Sequence, residues 1–151
     1  MAGFIVDTML GTLAKWLRVL GFDTLYEAGM EDNEILRIAE SQDRIIISRD
    51  RELCGRKGDS LYVESTDLDT QIKQVMDFYS PNKNKILSRC LECNTLLENV
   101  PQEELPRASV PEGIWERYPE YWYCRECDAY YWPGSHYDNM KKQAMGYLRA
   151  G

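Results

Sequence analysis

Cys90, Cys93, Cys124 and Cys127 form two Cys-x-x-Cys pairs with thirty residues between them, and no other feature restricts this chain so tightly. Each pair sets two thiols on one tight turn. Two such turns joined by short strands offer four sulfurs at tetrahedral corners, the arrangement of a closed structural zinc site. The intervening loop carries Pro101, Pro106, Pro111, Gly113 and Pro119, so it cannot be one helix. Two disulfides or four free thiols are the alternatives. The N-terminus carries no secretory apolar segment, so an oxidising compartment is not implied and a cytoplasmic protein is expected. A closed site of this kind anchors a module and supplies no reaction, which places any chemistry elsewhere. Cys54, the fifth cysteine, has no neighbouring His or cation to mark a nucleophile and reads as a reduced structural thiol.

The first half alternates strands with helices. Phe4-Ile5-Val6 is a short apolar run ending on Asp7. From Thr8 to Leu20 the residues Leu10, Leu13, Ala14, Leu17 and Leu20 recur at helical spacing, and Gly21 stops the helix. Asp23 to Tyr26 reads as a second strand. Asp32-Asn33 then precedes an amphipathic helix with Ile35, Leu36, Ile38 and Ala39 on one side, where Asp or Asn suits the N-cap. Arg44 to Ser48 is the strongest strand, continuously apolar as buried parallel strands are. Ser60 to Val63 reads as a fourth strand and Asp67 to Tyr79 as a helix. This alternation predicts an α/β fold, a parallel sheet flanked by helices. Ser80 to Lys85 is a polar linker, so residues 1–84 form the α/β domain. Residues 85–151 form a zinc ribbon ending in a short helix over Asp138 to Leu148.

With 18 basic and 25 acidic side chains the net charge is −7. No basic tail exists, so bulk electrostatics does not favour non-specific nucleic-acid binding. No apolar run approaches a membrane span.

Three acidic positions stand where strands end or helices begin: Asp7, Asp32 with Glu34, and Asp50. In an open α/β sheet the carboxyl ends of the strands share one rim, where ligands bind by default. Grouped carboxylates repel unless a hard cation relieves them, and oxygen clusters of this sort hold Mg²⁺ or Mn²⁺. The bland alternative is that Asp7 and Asp50 solvate strand ends and Asp32 caps a helix. Lys15, Arg18 and Arg49 lie near these positions in sequence, Arg49 inside the run Ser48-Arg49-Asp50. Positive groups beside a metal-binding carboxylate cluster are what a phosphodiester backbone needs, and surface ion pairing is the alternative for each.

The strings Phe4-Ile5-Val6-Asp7, Leu13 to Thr24 and Ile45-Ile46-Ile47-Ser48-Arg49-Asp50 resemble the Mut-seven C-terminal RNase family. So do Cys90-x-x-Cys93-Asn94, Cys124-x-x-Cys127 and Tyr131 to His136 with Met140. The resemblance covers nearly the whole chain in order. It implies a PIN-like nuclease domain followed by a zinc ribbon, with acidic residues that bind Mg²⁺ or Mn²⁺ and cleave RNA. Asp7, Asp50 and the Asp32/Glu34 region match its acidic positions. Lys15, Arg18, Ser48 and Arg49 are then expected to meet the RNA, and Asp59 and Asp67 are the candidates for a fourth carboxylate. The ribbon would position RNA, a ribosome or a protein partner. A non-catalytic RNA- or ribosome-binding adaptor is the other reading.

Trp115, Tyr118, Tyr121, Trp122, Tyr123, Tyr130, Tyr131, Trp132 and Tyr137 crowd the second half. Such rings stack on unpaired bases or make the small core that a ribbon needs, and packing is the favoured reading. His136, the only histidine, is expected to be structural because four cysteines already close the zinc shell.

Overall fold

The computed structural model describes residues 3–150. Strands β1 (Gly3–Val6), β2 (Asp23–Leu25), β3 (Ile45–Ser48) and β4 (Leu61–Tyr62) form a parallel sheet in the order β2-β1-β3-β4. Ile5 registers with Leu25 on one side and Ile46 on the other. Successive side chains leave opposite faces, so Phe4, Val6, Ile45 and Ile47 enter one core while Ile5 and Ile46 enter a second. Apolar residues on both faces need helices on both. The first face is covered by α1 (Gly11–Val19) through Leu13 and Leu17, and by α4 (Leu68–Phe78) through Ile72 and Val75. The second is covered by α2 (Asp32–Ser41) through Ile35, Leu36 and Ala39. Beside it, α3 (Arg51–Gly55) contributes Leu53.

The α/β expectation holds, with local differences. Helix α3 is absent from the sequence reading because five residues carry no usable period. Helix α2 begins at Asp32 itself. Its cap position is Glu31, which makes no side-chain capping bond, so the expected Asp32 cap does not form. Gly21 ends α1 at φ +93°, and a Cβ there would lie 2.6 Å from the Lys85 carbonyl oxygen. Only glycine meets both demands.

A second, antiparallel sheet joins β5 (Glu98–Pro101), β6 (Glu120–Cys124) and β7 (Ala129–Tyr131). Tyr121 is fully buried at its centre with Leu105 and Val110, and Trp115, Tyr118, Tyr130 and Trp132 pack around them. Most of the aromatic residues therefore build the small core. Helix α5 (Ser135–Ala150) is longer at both ends than the expected segment. It returns to the first module, where Met140 and Ala144 join the core under α1 together with Leu87. Trp16 meets Tyr147 edge-on at 5.9 Å, and the Tyr147 hydroxyl donates to Asp69 Oδ1 at 2.6 Å.

β2 is an edge strand, and its exposed backbone groups are covered by side chains. Asn94, just past Cys93, accepts from the Thr24 N–H through Oδ1 at 2.9 Å and donates from Nδ2 to Asp23 at 2.7 Å. Arg18 Nε donates to the Thr24 carbonyl at 2.9 Å, and its Nη1 donates to the Leu91 carbonyl at 2.9 Å. An uncovered edge would template pairing with another chain.

Candidate active site and metal centre

Both cysteine turns end in a left-handed residue. Asn94 and Asp128, each directly after the second cysteine of its pair, adopt φ of 75° and 50°. That left-handed step turns the chain back, and Asn and Asp tolerate it better than most residues. The Cys90 carbonyl accepts from the Asn94 N–H at 2.9 Å, and Cys124 Sγ accepts from the Cys127 N–H at 3.4 Å. All four Sγ atoms lie within 4.8 Å of one another, with Cys93 and Cys124 at 3.4 Å and Cys90 and Cys127 at 3.9 Å. A disulfide needs about 2.05 Å, so these are four free thiols. A tetrahedral Zn–S shell with bonds of about 2.3 Å has edges of about 3.8 Å, which the observed separations straddle. The four cysteines can hold a zinc ion. Burial pushes the Cys93 thiol up, but hydrogen bonds from Thr95 and the neighbouring cysteines outweigh it and bring it down to about 7. Cys127, hydrogen-bonded to Cys93, is pushed up to about 12. Zinc ligation takes thiolates, so binding the ion would release the protons that the crowded thiols hold.

Two of the acidic residues stand at the carboxyl rim of the parallel sheet. Chain order runs outward from β1 in both directions, so the gap between β1 and β3 is the switch point. Asp7 follows β1 and Asp50 follows β3, on the two sides of that gap. Ser48, fully buried, links them: its hydroxyl donates to Asp7 Oδ2 at 2.6 Å and accepts from the Asp50 N–H at 2.9 Å. Asp7 Oδ1 accepts from the Thr8 N–H at 2.7 Å. Asp50 caps α3, its Oδ1 accepting from the N–H groups of Glu52 and Leu53 at 2.9 and 3.3 Å. Asp32, free of capping duty at the start of α2, is near enough to feel their charge. Burial, then Asp7, then Asp50 raise its carboxyl above the ordinary range. Glu52 adds to that negative field and Arg56 opposes it. Sequence reasoning missed both, because they lie on or just beyond α3 and become visible only once Asp50 is read as its cap.

Among the described residues the cysteines are the only set of three or more metal-ligating side chains with all ligand atoms within 4.8 Å. The carboxylates do not form such a set. Glu34 lies on the outer face of α2, 3.9 Å from Arg37. Asp59 precedes β4 and so stands at the other end of the sheet, paired with Lys57. Asp67 caps α4 through the Thr70 N–H at 3.0 Å.

The basic residues divide. Lys15 is exposed on α1 with no ion pair among the described residues. Arg49 donates only a long bond, 3.4 Å, from Nη2 to the Glu64 carbonyl, and its buried Nε has no partner. Arg18 is a correction. Both its bonds go to backbone carbonyls and it is 5% exposed, so it closes the β2 edge rather than meeting RNA. Ser48 is another, because its proton and a lone pair are already committed to the two aspartate residues. Cys54 points its thiol toward the carbonyls of Ser48 and Leu61, and burial raises it, consistent with an inert thiol.

Among the described residues no helix is long and apolar enough to cross a membrane. A family model described as the Mut7-C RNAse domain matches residues 2–144. No curated protein and no solved structure matches the chain.

Proposed function

The chain belongs to the Mut7-C RNAse domain family, and from that membership we propose that it is a metal-dependent ribonuclease of PIN-like type, hydrolysing RNA phosphodiester bonds at its acidic rim. The observation that carries the reading is the Ser48 bridge between Asp7 and Asp50 across the switch point of the sheet, with the charge of Asp32 felt in the same space. Asp7, Asp32 and Asp50 are the residues to hold Mg²⁺ or Mn²⁺, oxygen donors being what such ions prefer. A divalent ion there lowers the pKa of a bound water and offsets charge on the phosphoryl group.

The chain's own residues prepare that site. Two amides of α3 share Asp50 Oδ1, which fixes the carboxylate and leaves Oδ2 without a bond. Ser48 and Thr8 fix Asp7 in the same way, so two of the three acids are oriented in advance. Asp32 is the adjustable one. Arg49, with unpaired donors, and Lys15, unpaired and exposed, are the groups to draw a phosphate toward the rim. Glu34, turned toward Arg37, has a lesser part. The zinc-bearing ribbon is structural and offers RNA, a ribosome or a protein partner a second surface.

The test is digestion of single-stranded RNA, single-stranded DNA and a phosphomonoester in Mg²⁺ and in Mn²⁺. RNA should be cut preferentially. Asp7→Asn and Asp50→Asn should each lower cleavage by at least about a hundredfold while RNA affinity is kept. Binding without cleavage in either ion would assign the chain as an adaptor instead.

A further inference from the structure

A cavity of about 280 Å³ opens between the ribbon and the first turn of α5. Its aromatic walls include Trp122, Tyr130, Trp132 and Tyr137, and Arg89 and His136 supply polar edges. Trp122 and Tyr137 already form a parallel stack, centroids 5.0 Å apart and planes 9° from coplanar. The hydroxyl of Tyr131, another wall residue, is spent on Cys90 Sγ at 3.3 Å. The indole and phenol edges of the four rings named first have no hydrogen-bond partner among the described residues. Arg89 uses Nη1 on the Asn94 carbonyl at 3.0 Å and stands 4.0 Å from Asp23 Oδ1, yet its Nε is buried with no acceptor. A buried N–H without an acceptor asks for a ligand or a water. Core packing therefore accounts for Tyr121 and the rings around it, and Tyr137 also lies against the first core, but packing leaves Trp122 in no core cluster and the polar edges beside the open space unspent.

We propose that this cavity takes one unpaired base of single-stranded RNA. A flat heterocycle continues the Trp122–Tyr137 stack, and the free donor edges meet the nitrogens and oxygens of its rim. The sugar and phosphate stay at the mouth, beside the exposed His136. Every base has a π face, so the subsite tolerates sequence and adds affinity for unstructured RNA. The inference takes its ligand class from the ribonuclease reading, but it concerns a surface apart from the acidic rim.

The experiment uses the full zinc-loaded chain without added Mg²⁺ or Mn²⁺, and ten-nucleotide RNAs carrying 2-aminopurine at successive positions. One position should lose its fluorescence on binding as the base stacks. Tyr137→Ala, with zinc content and melting temperature checked, should abolish that loss and weaken RNA binding about five- to a hundredfold. Tyr137→Phe should preserve both, and Trp122→Phe serves as a second, ring-conserving variant with a smaller effect. Unquenched probes at every position, or unchanged affinity in Tyr137→Ala, would each overturn the proposal. The two readings fail separately. Cleavage lost in Asp50→Asn with Tyr137→Ala unaffected removes the base subsite alone. A quenched probe with no cleavage in Mn²⁺ removes the nuclease and keeps the subsite.

Discussion

At the scale of single residues, the site depends on a hydroxyl that touches no substrate. Ser48 is fully buried and satisfies Asp7 and the Asp50 N–H together. Ser48→Ala leaves the Asp50 N–H without its acceptor and frees the Asp7 carboxylate to turn. We expect it to cost about 1–3 kcal/mol in urea titration, and to lower kcat for Mn²⁺-dependent RNA cleavage with KM unchanged. An unaltered kcat would show that the bridge does not orient the acid. Asp32 makes the opposite kind of contribution. Burial and two neighbouring carboxylates raise its carboxyl above 3.8, so the folded chain holds that proton more tightly than the unfolded one. The sign follows: the group favours folding below the unfolded value, and that benefit is lost as pH rises through the raised value. At neutral pH Asp32→Asn should therefore melt slightly higher than wild type, by about 1 °C given the exposure of the side chain, in metal-free buffer. Added Mn²⁺ should stabilise wild type more than the variant. A lower melting temperature for the variant without the ion would argue against crowding of the three acids.

At the scale of elements, the edge strand is where the two modules become one structure. β2 has a partner on one side only, and Asn94 and Arg18 stand in for the missing strand. Asn94→Gly isolates this effect, since glycine accepts the φ of 75° and removes only the amide. We expect amide exchange at Thr24 to accelerate and stability to fall by about 1–3 kcal/mol, with zinc content unchanged. Protection retained at Thr24 would mean that the edge is covered by something else. The Asn following Cys93 is visible in the sequence, but its partner is seventy residues upstream and nothing local announces it. The same holds for Arg18. Its neighbours in sequence suggested a phosphate contact, because helical spacing shows which face a residue occupies but not which distant carbonyl it meets. Periodicity did suffice for β1, β3, α1, α2 and α4, each long enough or apolar enough to show its period. It failed for α3, whose five residues are specified by the Asp50 cap alone.

At the scale of the molecule, the cysteine spacing foretold a zinc-compatible site, and the strand ends put Asp7 and Asp50 after β1 and β3, since both depend on residue type and order. What was not legible is how the halves interlock: Leu87, Met140 and Ala144 complete the core under α1, and Asn94 seals the sheet. Zinc removal is therefore expected to act on the whole chain. One zinc per chain should be found by elemental analysis, and a chelator should lower the melting temperature as a single transition that includes α1 and β2. Separate melting, with the α/β module unchanged, would contradict this coupling. The central claim, that distant aspartates share one divalent ion, is tested most directly by anomalous diffraction from a crystal soaked in Mn²⁺. The account predicts a manganese peak bounded by Asp7, Asp32 and Asp50, with ligand bonds near 2.2 Å and Ser48 still on Asp7. A fully soaked crystal with no peak at that rim, or with manganese bound elsewhere, would contradict it.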